Sequence, residues 1–150
     1  MKERKIKSCF VEGPIAPSFI AESLGHHTHK TEIGAHSMFL GQVRADMKEG
    51  QVVSGIDYSV YEAMANEQLH VIREAAFEQF SLTCLHIYHS KGWVPVGGIS
   101  LFVFTSSAHR SAAMEACTYL VERIKKEVPV WGKECFESGG HVWKENTPST

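Results

Sequence analysis

Residues 99–104 are Ile99-Ser100-Leu101-Phe102-Val103-Phe104, an apolar run broken by a single serine. A run of this kind is typical of a central strand that is buried on both faces. The strand leads directly into residues 105–111, which contain Ser106 and Ser107, two residue types that commonly cap helices. From Ala108 to Lys126 the apolar side chains fall on one stripe, and Pro129 follows. The stretch therefore predicts a buried strand joined to a long amphipathic helix.

The rest of the chain supplies the other elements of an α+β domain. We expect strands over residues 6–11, 33–43, 56–60, 82–88 and 99–104, and helices over residues 17–24, 62–80 and 108–126. Short turns between neighbouring strands, including a turn marked by Gly92 and Pro95–Gly98, favour antiparallel pairing with helices packed on the sheet. Extra pairing in the middle of the chain would form a small β subdomain. Residues 1–150 are expected to form a single domain, with a loose tail from about residue 137 to 150.

Composition excludes several classes of protein. The chain has 150 residues, 43% of them hydrophobic and 21% charged, and a formal net charge of −2. This balance argues against nonspecific nucleic-acid binding, and no apolar run reaches the length of a membrane helix. The N-terminus has no signal-peptide core, so a cytoplasmic location is expected. Since no two of the four cysteines form a CxxC motif, they are interpreted as buried or incidental thiols.

His109 and Arg110 form the first candidate site. They stand where the predicted central strand runs into the helix. The first N–H groups of a helix lack partners and carry positive charge, which suits phosphate. Arg110 would add a bidentate clamp, and His109 would donate a hydrogen bond or move a proton. The alternative is an ordinary helix start with a solvated arginine.

Lys125, near the end of the same helix, is the second candidate. Lysines at a helix end often only complement the helix dipole. However, Pro129 and Trp131 make the next segment stiff and partly apolar. A lysine beside such a wall loses hydration, its pKa falls, and its amine becomes a usable base or nucleophile. Further candidates are Arg44 and Phe39, for which a surface ion pair and a core position are the usual interpretations.

The separation of these residues along one helix predicts a dimer. His109 and Lys125 are sixteen positions apart. At the rise of an α-helix this is roughly 24 Å, too far for both to contact one small substrate. If both act in one pocket, one set must come from a second copy of the chain. We therefore expect a homodimer with active sites across the subunit interface.

The remaining sequence patterns give weaker evidence of function. Ser106 or Ser107 with His109 would suit a hydrolase, but residues two or three apart at a helix start rarely align for nucleophilic attack, and no GxSxG motif is present. His26, His27 and His29 are interpreted as a solvated loop rather than a metal site. There is no Walker loop and no GxGxxG motif.

Taken together, several stretches resemble the large, catalytic subunit of molybdopterin synthase. The matching residues are Gly34-Ala35, Gly41 to Arg44, Tyr58, Tyr61 to Ala65, His89, Gly92, Ser107 to Arg110, Ile124-Lys125, Val128 to Trp131 and Lys133-Glu134. The resemblance spans roughly residues 5–145, and the order and spacing are more specific than any one piece.

The resemblance implies a fold, a reaction and partners. The fold would be an α/β hammerhead with an added small antiparallel β subdomain. Two large subunits would form a central dimer, with a small ubiquitin-like sulfur-carrier subunit at each end of a heterotetramer. The C-terminal Gly-Gly tail of that subunit, carried as a thiocarboxylate, would give sulfur to cyclic pyranopterin monophosphate and form the dithiolene of molybdopterin. No cofactor and no metal is implied.

The resemblance also assigns roles to residues. Lys125 would be the principal catalytic residue, with Lys133 helping to bind substrate or tail. Arg44, His109 and Arg110 would bind the phosphate, and Phe39 would pack against pterin or tail. One position departs from the family pattern, because Gly132 stands where a lysine is common. The competing functional hypotheses are a non-enzymatic module that binds a phosphorylated metabolite and a Ser/His hydrolase.

Overall fold

A computed structural model of the chain describes residues 7–144. In chain order its elements are β1 (Phe10–Glu12), α1 (Pro17–Gly25), β2 (Ala35–Gln42), β3 (Met47–Lys48), β4 (Gln51–Val60), α2 (Glu62–Gln79), β5 (Cys84–Pro95), β6 (Ile99–Ser107), α3 (Arg110–Glu127), β7 (Val130–Phe136) and β8 (His141–Trp143). The expected α+β class is confirmed. Among the helices of residues 7–144, none is long and apolar enough to cross a membrane.

One mixed sheet connects all the strands, in the order β2-β6-β5-β4-β7-β8. β1 adds to β5 in parallel, and β3 pairs with β4. Every pairing except β1 with β5 is antiparallel within the described residues. β6 lies between β2 and β5, and Leu101 to Ser107 are all buried. The prediction of a central strand in this stretch is therefore confirmed.

Helices cover both faces of the β2-β6-β5 part of the sheet. α2 and α3 bury Ile72 and Leu120 against Leu85 and Val103, which point to the same face of the sheet. On the other face α1 packs Phe19 and Ile20 against Phe102 and Phe104. Because successive residues of a strand point to opposite faces, the unbroken apolar run of β6 supplies both cores.

The added antiparallel part is built on the far end of β5. The predicted turn is found at residues 95–98, but Gly92 is not part of it, because β5 continues through this residue to Pro95. Gly92 has a φ of 76°, and a Cβ there would lie 2.3 Å from a carboxylate oxygen of Glu12. Beyond Gly92, β5 pairs with β4, and Val43, Ile56 and Val94 form a third, separate core.

Two further expectations differ from the structure. Ser106 and Ser107 end β6 instead of capping α3, and the residue before the helix is His109, which makes no side-chain cap. Ser106 Oγ pairs with His36, while Ser107 Oγ donates to the Ser81 carbonyl and accepts a long contact of 3.5 Å from the His109 N–H, which precedes the helix. The stretch after residue 137, expected to be loose, turns at Gly139-Gly140 and forms β8 against β7. Residues 1–6 and 145–150 lie outside the described chain.

Truncating Leu120 should destabilise the domain strongly. Leu120 is 0% exposed in the core between α3 and the sheet. Leu120→Ala should lower the free energy of unfolding by about 2–5 kcal/mol, because it removes buried methyl groups and leaves a cavity. Urea denaturation measures the change. Val71→Ala, at an α2 position that is 52% exposed, is the matched control and should cost under about 0.5 kcal/mol. Equal losses in the two variants would contradict this packing.

Candidate active site

A cleft of about 350 Å³ lies between the end of α3 and strands β7 and β8. Its floor is formed by side chains of the sheet, and its walls by the end of α3 and the segment that follows. The lining residues used below are Tyr58, His89, Lys125, Trp131, Gly132 and Lys144. Strand register and helix packing thus bring residues far apart in sequence to one site.

A row of cross-strand neighbours forms the floor. Tyr58 of β4 pairs with Gly132 of β7, and the Lys144 N–H donates to the Gly132 carbonyl at 2.7 Å. Residues directly opposite each other in neighbouring strands point to the same face. A Cβ at residue 132 would lie 3.4 Å from the Tyr58 ring and 3.6 Å from the Lys144 Cβ. The missing side chain of Gly132 therefore leaves the space between Tyr58 and Lys144.

His89 is held neutral beside this row. Its Nδ1 lies 2.7 Å from the Ser90 carbonyl, so Nδ1 carries the proton and Nε2 keeps its lone pair. Burial lowers the pKa of His89 to about 4, the Ser90 carbonyl opposes the shift, and the charges of Lys125 and Lys144 lower the pKa further. The imidazole is thus a hydrogen-bond acceptor at neutral pH.

Tyr58 completes the polar floor. Its hydroxyl donates to Ser100 Oγ at 3.1 Å, and its ring packs edge-on against His89 at a centroid distance of 5.2 Å. Burial is the main cause that raises the pKa of Tyr58. The phenol therefore stays protonated near neutral pH, and together with the His89 ring it makes a rigid, uncharged surface beneath the lysines.

Lys125 projects from the end of α3 into the cleft while part of its side chain stays in solvent. Burial against the cleft wall lowers the pKa of Lys125, the charges of Lys144 and Arg44 lower it further, and Glu122 opposes them. The charges of Lys144 and Arg44 thus disfavour the charged form of Lys125. An anion that entered the cleft would relieve this repulsion.

Two exposed indoles flank the cleft. Trp131 is 53% exposed and Trp143 is 57% exposed, although tryptophan is usually buried. Both line the cleft, next to the stiff segment that contains Pro129. Exposed aromatic side chains beside a charged cleft are typical of a surface that binds another molecule.

The structure brings two of the predicted site residues together. Lys125 lines the cleft, and Arg44 is near enough to affect its pKa, although Arg44 itself is exposed and paired with Asp46 at 3.2 Å. Lys133 does not line the cleft. Lys133 is the cross-strand partner of Asp57 and Trp143. It follows Gly132 directly along β7, so its side chain points to the opposite face of the sheet.

The other predicted residues lie elsewhere in the chain. Phe39 packs against the main core and lines a separate groove between β2 and α3. His109 and Arg110 are exposed at the start of α3, with the length of the helix between them and Lys125. In the loop after α1, His26 and His29 are exposed as expected, but His27 is only 7% exposed, so the interpretation as a solvated loop is wrong for His27.

Residues 14–127 match the sequence model of the MoaE protein family. The chain belongs to the MoaE family. A molybdopterin synthase catalytic subunit from Oryza sativa subsp. indica is 42% identical over 120 residues, which cover 80% of this chain and 61% of that protein. The subunit of the same name from Bos taurus is 34% identical over 113 residues, covering 75% and 59%. The match thus spans about three fifths of the length of these relatives.

Solved structures agree with the MoaE fold. Molybdopterin synthase from Staphylococcus aureus superimposes with a TM-score of 0.81 at 31% identity, covering 95% of this chain and 99% of that one. A complex of subunits 1 and 2 of molybdopterin-converting factor from Helicobacter pylori gives 0.76 at 20% identity, covering 91% and 88%. The second likeness supports the fold alone.

Sequence reasoning missed Lys144 as a site residue. The match to the MoaE family includes Lys125 but ends before β7, so neither Lys133 nor Lys144 is part of it. The signal for Lys144 was a Gly-Gly pair followed by the alternating residues His141, Val142 and Trp143, which is typical of a hairpin. Tyr58 and His89 were noted in the resemblance without a role.

The ionisation of His89 should respond to Lys125. NMR titration of the His89 ring should give a midpoint near 4, since the folded chain favours the neutral imidazole. The neutral form of His89 destabilises the fold by nothing above the ordinary histidine pKa. As the pH falls from there towards 4, the unfolded chain binds a proton that the folded chain does not, and the free energy of unfolding decreases. Lys125→Met should raise the midpoint without reaching the ordinary value, because burial remains. Lys126→Met, at the neighbouring position, is the control, and an equal rise in both variants would contradict the assignment.

Proposed function

We propose that this chain is the catalytic subunit of molybdopterin synthase. In this proposal it moves sulfur from the thiocarboxylated C-terminus of a small ubiquitin-like subunit to cyclic pyranopterin monophosphate and forms the dithiolene of molybdopterin. The observation that carries the proposal is the position of Lys125, a lysine with a lowered pKa in a cleft that also holds Lys144. Membership of the MoaE family and the names of the relatives support it.

The cleft suits an anionic acyl-sulfur group. A thiocarboxylate carries negative charge, and the cleft presents the ammonium groups of Lys125 and Lys144. During sulfur transfer, negative charge would develop on the oxygen and sulfur bonded to the acyl carbon. The two ammonium groups would stabilise this charge. Because the pKa of Lys125 is lowered, its amine also exchanges a proton more readily near neutral pH. Since the partner supplies the sulfur, no cysteine of this chain is required as nucleophile.

The edge of the cleft, where Trp131 and Trp143 lie, suits the extended C-terminal tail of the small subunit. A C-terminal Gly-Gly segment has little side-chain bulk and can enter a narrow cleft. Trp131 and Trp143 offer exposed apolar surface on which the preceding residues of the tail can pack. His89 Nε2 lies at the floor as an acceptor for a proton of the substrate or of water.

Phosphate binding would require a second copy of the chain. Arg44 is the predicted phosphate ligand on the same side as Lys125, and His109 with Arg110 is exposed a helix length away. β2 is an edge strand of the sheet, and Leu40 on β2 and Met114 on α3 are 43% and 58% exposed. These features support a homodimer in which one protomer lends His109 and Arg110 to its partner's cleft, within a heterotetramer with two small subunits.

The cell compartment is part of the same proposal. The four cysteines are all free, which fits a reducing compartment such as the cytoplasm.

Lys125 and Lys144 should both be needed for product formation. With thiocarboxylated small subunit and the pterin substrate, Lys125→Ala should lower the rate at least about 100-fold, the usual effect of losing an acid/base group. Lys144→Ala should lower it on the order of 100-fold, as for loss of a charge-stabilising donor. Dithiolene formation is followed by mass spectrometry of the pterin product.

Lys133→Ala is the matched control for Lys144→Ala, because the two lysines lie on adjacent strands and opposite faces. Its rate should stay near wild type. Binding of the small subunit, measured by calorimetry, should largely survive in all three variants. Normal turnover by Lys125→Ala would overturn the assignment and favour a module that binds a phosphorylated metabolite without reaction.

Mixing two inactive variants should restore activity if sites are shared between protomers. Lys125→Ala and Arg110→Ala chains are each expected to be impaired. A mixed dimer has one site with Lys125 from one chain and Arg110 from the other, so one of its two sites is intact. After unfolding and refolding together in equal amounts, about a quarter of all sites should be wild type. No recovery, with mixed dimers confirmed by mass spectrometry, would show that Lys125 and Arg110 do not act across an interface.

A further inference from the structure

A buried group of metal-ligating side chains lies on the face of the sheet that carries α1. His27, Cys84 and His86 each offer one ligand atom, and these atoms lie within 4.8 Å of one another. His27 is 7% exposed and Cys84 is 9% exposed. The loop after α1 and strand β5 bring them together across a separation of 57 residues or more. We propose that His27, Cys84 and His86 form a binding site for one divalent transition-metal ion of the zinc class.

The cluster is separate from the cleft. On β5, Leu85 and Ile87 belong to the core beneath α2 and α3. Because side chains alternate along a strand, Cys84 and His86 point to the other face. The proposal therefore does not depend on sulfur transfer in the cleft, and the two can fail independently.

The tautomer of His27 is already set for metal binding. Its Nδ1 lies 2.6 Å from the Ser23 carbonyl, and a carbonyl only accepts, so Nδ1 carries the proton. Nε2 is then left with its lone pair facing His86. Histidine ligands of metals nearly always donate their other ring N–H to a carbonyl or carboxylate in this manner, which fixes the ring orientation.

The spacing of the two imidazoles fits a metal after a small adjustment. The Nε2 atoms of His27 and His86 are 3.0 Å apart, so they share one proton as a hydrogen bond. Two nitrogen ligands of tetrahedral zinc, at the usual Zn–N distances, are roughly 3.3 Å apart. Since His27 Nε2 only accepts, the proton between the rings belongs to His86 Nε2. A metal ion would take its place when His86 carries its proton on Nδ1 instead, and the two Nε2 atoms would move apart by a few tenths of an ångström.

Cys84 supplies the ligand that makes the set specific. Lys30 Nζ lies 2.9 Å from Cys84 Sγ, and this contact raises the pKa of Lys30. Cysteine binds metals as the thiolate, and Cys84 Sγ already lies against a cation in this structure. Lys30 is on a partly exposed loop and can move into solvent when the ion takes its place. Lys30, Arg73 and Lys7 add positive charge around His86, so the thiolate is needed to offset the charge of the ion.

The surroundings hold the ligands in place. The Phe104 ring packs against both imidazoles, at 4.9 Å from His27 and 5.9 Å from His86. Two nitrogens and one sulfur suit zinc or cobalt better than magnesium or calcium, which prefer oxygen. Three protein ligands leave a fourth position for water. The ion would connect the loop after α1 to β5 and stabilise the α1 face of the sheet.

Metal binding by the full chain tests the proposal. Equilibrium dialysis followed by elemental analysis should find one Zn²⁺ per chain. With Co²⁺ the protein should show the visible bands of a tetrahedral ion and a near-ultraviolet thiolate charge-transfer band. Cys84→Ser should abolish the charge-transfer band and weaken Zn²⁺ binding beyond the roughly 10–100-fold that loss of a supporting contact costs.

Two variants serve as matched controls. His29→Gln removes an exposed histidine of the same loop, and Cys135→Ser removes a half-buried thiol on β7. Both should bind Zn²⁺ as the wild type does. Unchanged binding in Cys84→Ser, or a wild-type chain that takes up no Zn²⁺, would overturn the proposal. If Cys84→Ser does not fold, the wild-type Co²⁺ spectrum decides, since a spectrum without the thiolate band has the same consequence.

Discussion

The continuation of β5 through Gly92 is the constraint on which both halves of the molecule depend. Residues 84–89 of this strand pair with β6, and residues 92–95 pair with β4. Within residues 7–144 the sheet order has no other link between the helix-covered part and the added antiparallel part. A side chain at Gly92 would have to displace the Glu12 carboxylate, since β1 lies against the same strand. α3 leads into β7 along the chain, and β5 joins β7's part of the sheet to the helix-covered part, so His89, near this junction, becomes the floor of the cleft.

The electrostatics of the cleft follow from that placement rather than from composition. The chain has a net charge of −2, yet Lys144 and Arg44 both lie within interaction range of Lys125. Burial and mutual repulsion both disfavour charge on Lys125, and the same two effects keep His89 neutral. The repulsion among these cations lowers the stability of the folded protein, and a bound anion would relieve it. A site of this kind favours negatively charged substrates without a broadly basic surface.

The sequence predicts best the elements whose signal is local. The apolar run of β6 and the apolar stripe of α3 can both be recognised from the sequence. A strand that is buried on both faces and a helix that is buried on one face leave distinct patterns. β8 has only three residues, so the hairpin signal at Gly139-Gly140 is too short to determine which residues of β7 it pairs with. Lys133 is nearest in sequence to the position where a lysine is common in the family, but a difference of one residue along a strand reverses the face. His27 was misjudged for a related reason, since its burial depends on Cys84 and His86 far along the chain.

The relation between Gly132 and Lys144 shows how a lysine can be supplied from a different strand. A residue at 132 and its cross-strand neighbour at 144 point to the same face, so either could place an amine over Tyr58. A long side chain at both positions would compete for one space, given the 3.6 Å between a Cβ at 132 and the Lys144 Cβ. Glycine at 132 and lysine at 144 are therefore complementary, and the face of the sheet, more than position in the sequence, determines which cation reaches the cleft.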